Sequence, residues 1–335
     1  MKKLLKFTIT GLVLALIAIT TYAFGFESGA MMAGATVVAT QLKNTLAEKE
    51  MITNLRHDHT WVSEIRSRPN WVNQDTIKIP KRGEAPRVLI DNTNYPIVSN
   101  KRDDSHVVIS LNKFDTENTT VTADELYAMP YEKVSDVQLQ HRETLEDTTA
   151  EYGLWGLAPQ EADDTENLFV LETTGEDDGT GRKMLTSADL RTLQTKMNKA
   201  GINRKGRVLI LSDDHVSDLL DEDRKFYTQY QNHTEGVISK NYYGFIVYED
   251  STTPLYKKEV DAWEKLPYGS VDEGVVSSVV FHKGSTAKAA GSVTRFARSA
   301  SEDPENRENT LGFRLYHIIV AYGVEGSAAI VSGTV

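Results

Sequence analysis

Residues 129–159 read MPYEKVSDVQLQHRETLEDTTAEYGLWGLAP, and the architecture follows from how this stretch is spaced. Val134, Val137, His141, Leu145, Thr148, Tyr152 and Trp155 recur at intervals of three or four residues. That spacing puts them on one face of an α-helix. Pro130 stands just before the run, and Gly156 and Pro159 close it, as expected at a helix end. Glu143, Glu146, Asp147 and Glu151 fall on the opposite face and are expected to meet water. A helix of about 25 residues is about 37 Å long at 1.5 Å per residue, comparable to the width of a domain.

Upstream of this helix the pattern is mixed. Met31 to Glu50 is rich in Ala, Leu, Lys and Glu, and Val37, Val38, Leu42, Leu46 and Met51 form a rough apolar stripe, so residues 25–55 read as helical. Thr76-Ile77-Lys78-Ile79-Pro80 alternates and then meets a proline, which predicts a short edge strand. From Arg87 to Leu126 the reading is β. Val88-Leu89-Ile90 and Val107 to Leu111 are taken as two strands, and Lys101 to Ser105 as a charged turn. A hairpin with so little apolar surface is not stable alone. It has to lie on the body of its own chain or on a neighbour.

Downstream, residues 160–182 are acidic and read as an exposed loop, with a short strand at Leu168 to Leu171. An α/β segment follows. Thr186 with Asp189 resembles a capping box, Leu190, Leu193 and Met197 form the buried face of the helix, and Gly201 ends it. Arg207 to Leu211 is a buried strand, and Ser212 is placed to cap a helix through Val216, Leu219 and Leu220. Gly244 to Tyr248 and Ser277 to His282 are strands, the Ala-rich stretch Thr286 to Ala300 reads as helical, and Phe313 to Val320 and Ala328 to Val331 return to β. The fold class is therefore α+β, with no internal repeat of solenoid type.

The chain has 335 residues, 48 acidic against 37 basic, and a net charge of −11. Binding nucleic acid through the whole surface is excluded, because phosphate contact needs clustered Lys and Arg. With no cysteine, disulfide staples and thiolate zinc sites are excluded as well. At the N-terminus, Lys2, Lys3 and Lys6 precede an apolar run from Phe7 to Phe24, and Thr21-Tyr22-Ala23 offers a signal-peptidase site. The run is also long enough to span a bilayer. By itself this segment reads as secreted or membrane-anchored.

Five groups of residues are candidates for chemistry. His57, Asp58 and His59 could offer metal ligands, but no third cluster joins them, and a surface role fits better. Asp213, Asp214 and His215 resemble part of a catalytic set, yet they sit where acidic residues complement a helix start. Gly179-Thr180-Gly181-Arg182 lacks the strand and helix that a dinucleotide site needs. The acidic loop from Glu161 to Asp178 lacks calcium-loop spacing, although a non-standard cation site stays open there. Lys283, Lys288, Arg295 and Arg298 form a modest basic group that suits either DNA or acidic residues of a neighbouring subunit. The expectation is no catalytic, cofactor-binding or metal residue, and no cofactor.

The order of elements (helical arm, long hairpin, long helix, α/β segment, returning β) resembles the Hong Kong 97-type capsid fold. The wording of Met129 to Lys133, Gln138 to Leu145 and Tyr152 to Pro159 is similar to the spine-helix region of major capsid proteins from tailed phages of Bacteroidetes, including crAss-like phages. Gly206 to His215, Gly236 to Ser239 and Gly244 to Tyr248 resemble the same group. The resemblance implies an apolar N-terminal segment at 1–30, an N-arm at 31–84 and an E-loop hairpin at 85–128. It further implies a P-domain at 129–185 with spine helix 133–158, an A-domain at 186–270, and returning strands at 271–335.

It also implies a non-enzymatic shell protein of the virion, assembled in the host cytoplasm around double-stranded DNA. Its partners would be itself in pentamers and hexamers, portal, scaffold or decoration proteins, and packaged DNA held non-specifically on the inner face. Membrane contact enters only if residues 7–24 persist as an anchor. For that segment three readings stand. Either the start lies at Met31 or Met32, or the segment is an arm packed inside the shell or cleaved, or the chain is exported. A membrane-anchored or secreted α/β binding protein and an encapsulin-like compartment are the alternative functions.

Overall fold

In the computed structural model, Lys133–Leu157 is one unbroken helix, α1, of 25 residues. The structure describes residues 59–334 except 74–75, 82–87, 94, 98, 100, 123–132, 164–167, 233–236, 260–261, 272–273, 304 and 323–325. The helix expected over 25–55 and the apolar run 7–24 lie outside the described residues.

The burial of α1 departs from expectation in its second half. Val137, His141 and Leu145 are buried as expected, but the stripe then moves to Thr149, Ala150, Gly153, Leu154 and Leu157. Thr148, Tyr152 and Trp155 are only half-buried, and Glu146, expected in water, is buried beside Arg142 at 3.9 Å. Steps of four residues rotate about 40° round a helix of 3.6 residues per turn, so a straight helix offers different side chains to different neighbours along its length. Here Val137 meets one sheet and Leu154 another.

The strands run in chain order as β1 (Arg66–Ser67), β2 (Val72–Asn73), β3 (Thr76–Lys81), β4 (Ser105–Ser110), β5 (Asn112–Asp115), β6 (Thr119–Thr122), β7 (Phe169–Glu172) and β8 (Arg207–Leu211). Then follow β9 (Val237–Tyr242), β10 (Phe245–Glu249), β11 (Leu255–Glu259), β12 (Ala262–Lys265), β13 (Val275–His282), β14 (Thr286–Arg298), β15 (Glu308–Ala321) and β16 (Ala328–Val331). Three further helices, α2 (Ser187–Lys199), α3 (Asp213–Glu222) and α4 (Arg224–Gln231), lie between β7 and β9.

These strands form three sheets. A five-stranded sheet runs β1-β14-β15-β5, with β6 also on β15. Alternate residues of β15 face opposite sides. Leu311, Phe313 and Ile319 turn to α1, whereas Ile318 turns to a cluster with Ile77, Ile79, Leu111 and Ala289. Gly153 lets α1 close on β15, since a Cβ there would sit 2.5 Å from Ile319 Cδ1. The eight-stranded sheet runs β12-β11-β13-β8-β10-β9, with β16 on β13 and β7 on β16. Every residue of β8 is buried. Leu209 and Leu211 pack with Leu190, Leu193, Met197, Val216 and Leu219, and Val208 and Ile210 pack with Ala150, Leu154 and Leu157 of α1. A strand covered on both faces needs a continuous apolar run, which Arg207 to Leu211 supplies.

The capping box at Thr186 and Asp189 is present as expected. Ser212 holds the N-cap position of α3, but its hydroxyl makes no cap bond.

Two β assignments are corrected. Thr286 to Arg298 is a strand of 13 residues, not a helix. Pairing with the whole of β15 overrides the helix preference of alanine, and Ala287 and Ala289 are buried in the sheet. In the third sheet, β2-β3-β4, the partner of β4 is β3 rather than Val88-Leu89-Ile90, with Ile77 opposite Ile109 and Ile79 opposite Val107. β3 is thus the middle strand, not an edge. β2 reaches only Thr76 and Ile77, so Pro80 lies beyond it, where the missing N–H costs no rung.

Candidate assembly surface

The β3–β4 hairpin begins in the core and ends outside it. Ile77 and Ile79 are buried at its base. Beyond them the apolar residues are bare: Val88 is 87% exposed, Ile90 83% and Tyr95 76%, and Leu89, Ile97, Val107 and Val108 are exposed as well. Arg102 and Asp104 pair at 2.5 Å nearby. Single exposed apolar residues are ordinary, but a group on one extended element marks an interaction surface.

Behind this arm the body is tightly joined. Residues 60–64 form a 3-10 turn that buries Trp61 and Val62, with Ile65 just after it, against α1, β8, β10, β13 and β15. Asp250, directly after β10, fixes the turn. Its Oδ2 accepts from Trp61 Nε1 at 2.6 Å and lies 2.7 Å from His59 Nδ1, while Oδ1 accepts from the Thr252 amide and hydroxyl at 2.9 and 2.6 Å. Burial pushes this carboxyl up, but the bonds from His59 and Thr252 outweigh it and hold it below the usual carboxylate range. His59 Nε2 also lies 3.8 Å from Asp147 of α1.

On the other side, Lys265 of β12 caps the end of α1, its Nζ donating to Trp155 O at 2.9 Å and Ala158 O at 2.7 Å from above the Trp155 ring. Burial lowers this ammonium to about 8. Gln160 Nε2 donates to Lys265 O and Trp155 Nε1 to Leu266 O, adding to the joint.

The residues weighed for chemistry have structural roles. His59 belongs to the Asp250 cluster, and His57 and Asp58 lie outside the described residues. Asp213 and Asp214 are exposed in the first turn of α3. His215 points the other way, fully buried between Ser278 Oγ at 2.6 Å from Nδ1 and Ser332 Oγ at 2.9 Å from Nε2. Burial lowers its pKa to about 4, so it stays neutral, one ring nitrogen donating and the other accepting. Three dispersed polar residues make this arrangement, and no local spacing in the sequence announces it.

The acidic loop folds on itself rather than merely dissolving in water. Asp177 Oδ1 accepts from the Gly179 and Gly181 amides, each at 2.9 Å. Arg182 donates to Asp178 at 2.9 Å and to both oxygens of Asp218 at 2.8 and 2.7 Å. The four basic residues do not form one patch. Lys283 pairs with Glu64, Lys288 donates to Val62 O, and Arg298 pairs with Asp303. Lys288 and Arg298 stand about 30 Å apart along β14 at 3.3 Å per residue. Among the described residues no cluster of metal-ligating side chains is present, and no helix is long and apolar enough to cross a membrane.

Solved structures share this arrangement of elements. The capsid of Ralstonia phage GP4 aligns with a TM-score of 0.58 at 6% identity, over 81% of this chain and 87% of that one. The chain has the Hong Kong 97-type fold. The capsid of cyanophage P-SCSP1u aligns with a TM-score of 0.55 at 11% identity, covering 81% of this chain and 86% of its own. A virus-like particle from Pyrococcus furiosus aligns with a TM-score of 0.52 at 9% identity, covering 86% and 99%. No protein-family model matches the sequence, and no curated protein matches it.

Proposed function

We propose that this chain is the major capsid protein of a tailed bacteriophage, a structural subunit that assembles into an icosahedral shell around double-stranded DNA. The observation that carries the reading is the hairpin, which exposes Val88, Leu89, Ile90, Tyr95 and Ile97 beyond a well-buried base in a fold shared with phage capsids. Burial of such surface between many copies stabilises the assembly through mass action. The hairpin serves as the E-loop, α1 as the spine helix, the five-stranded sheet as the P-domain and the eight-stranded sheet with α2–α4 as the A-domain. The role is structural, with no reaction assigned.

The partners that follow are further copies in pentamers and hexamers, portal and scaffold or decoration proteins, and packaged DNA, in a virion formed in the host cytoplasm. The wording of residues 129–159 supports an origin among crAss-like and related phages of Bacteroidetes. The virus-like particle from Pyrococcus furiosus keeps a compartment shell as a second reading, told apart by whether a genome or another cargo lies inside.

Negative-stain electron microscopy of the full chain and of a chain started at Met31 tests this. Closed shells or rings of five or six subunits are expected. A monomer that fractionates with membranes overturns the reading.

A further inference from the structure

His59 stands between two carboxylates. Its Nδ1 lies 2.7 Å from Asp250 Oδ2, a hydrogen bond, and its Nε2 lies 3.8 Å from Asp147 Oδ1, too long for a hydrogen bond but within reach of an ion pair. The two carboxylates differ in setting. The side chain of Asp250 is 3% exposed, whereas that of Asp147, on the outer side of α1, is 69% exposed.

The buried carboxylate needs a cation. Its other donors, the Trp61 indole and the amide and hydroxyl of Thr252, are neutral. Among the described residues no Lys or Arg pairs with Asp250 or Asp147. A carboxylate buried with neutral donors alone is costly, and a positive charge beside it offsets that cost. His59 is the group placed to supply the charge, and histidine is the side chain that changes charge between pH 5 and 8.

The ring therefore has two states. When neutral, it donates from Nδ1 to Asp250 and turns a lone pair on Nε2 toward Asp147. When charged, both nitrogens donate, one to each carboxylate. What the ring holds is the turn at residues 60–64. His59 O accepts from Val62 N at 3.0 Å to open that turn, and Trp61 within it is buried against Phe281 with ring centroids 6.2 Å apart. A charged ring ties the turn to both α1 and the end of β10, a neutral one to β10 alone. Other charged groups around the turn have partners of their own: Glu64 meets Tyr248 and Lys283, and Lys288 donates to Val62 O. On α1, Arg142 pairs with Glu146 on the buried side, and Glu143 and Glu151, one turn to either side of Asp147, carry its sign.

We propose that His59 is an acid-operated clamp: protonated, it bridges Asp250 and Asp147 and locks the turn at residues 60–64 onto α1, and deprotonated, it lets go of Asp147 and loosens the turn. The proposal concerns the single subunit and stands or falls independently of the shell reading.

Hydrogen–deuterium exchange of the unassembled full chain tests it, read as protection after correction for the intrinsic pH dependence of exchange. Over residues 60–67, protection is expected to rise about fivefold or more from pH 8 to pH 5.5, with no such rise over residues 190–197 of α2. His59→Gln keeps a donor for Asp250 but cannot take up charge, and should abolish the rise. Asp147→Asn, at an exposed side chain whose change leaves the fold intact, should cut the rise to about twofold or less. Protection that stays flat or falls in acid overturns the proposal, and so does a full rise in either variant. If His59→Gln fails to fold, Asp147→Asn decides.

Discussion

Acid should loosen the unassembled subunit through His215. The imidazole is fully buried between Ser278 and Ser332, and its pKa in the folded chain is about 4. In the unfolded chain it returns to about 6.5. Between these values the unfolded state binds the extra proton, so stability falls as pH falls. The contribution is fully present above pH 6.5 and is lost by pH 4, below which both states are protonated. At about 1.4 kcal/mol per pKa unit, the loss is about 3 kcal/mol over the whole window and about 2 kcal/mol between pH 7 and pH 5. Other carboxylates and histidines titrate in the same range, so the comparison is with His215→Gln, whose amide can still donate to one serine and accept from the other but does not titrate. Urea unfolding of both proteins at pH 7 and pH 5 should show the variant less stable at pH 7 but about 2 kcal/mol less sensitive to acid. Parallel losses in the two proteins would refute the reasoning.

Three further outcomes are expected. Asp250→Ala strands the buried Trp61 indole together with the Thr252 donors, and should cost about 3 kcal/mol or more by thermal unfolding, with faster amide exchange over residues 60–67. Gly153→Ala should destabilise by about 1–3 kcal/mol, although alanine is the better helix former, because its Cβ meets Ile319 at 2.5 Å; combining it with Ile319→Ala should cost less than the sum of the two in a double-mutant cycle. Val88→Asp with Ile90→Asp should leave the unassembled chain within about 0.5 kcal/mol of its stability, since both residues are exposed, while abolishing particles seen by electron microscopy.

Much of the fold could be read from local signals. The capping box at Thr186, the five buried residues of β8 and the length of α1 each follow from a few neighbouring residues. What escaped was set by distant partners. Thr286 to Arg298 is strand because β15 lies beside it, and after the bulge the alternation of Val293, Thr294, Arg295 and Phe296 was the available hint. Val88-Leu89-Ile90 has a strand's composition but pairs with no strand among the described residues, because β4 is taken by β3. The second half of α1 was misjudged because two sheets cover it from different sides, which a single helical stripe does not encode. Of the candidate surface, the exposed, charged stretch Lys101 to Asp104 was legible. The Asp250 cluster was not, since its bonds to His59 and Trp61 span 191 and 189 residues.

Those spans bear on how the chain is made. Trp61 and Val62 leave the ribosome well before Phe281 and Ile319, against which they pack, and Val62 O accepts from Lys288 Nζ across 226 residues. β16, which follows all of these in the chain, lies between β13 and β7 inside the eight-stranded sheet. Contacts this remote in sequence form late and slowly. The turn at residues 60–64 therefore waits for strands β13 to β15, and until they are made a nascent chain has no finished body from which to hold out its hairpin. In the proposed shell-subunit role, synthesis itself would delay assembly until these strands are in place.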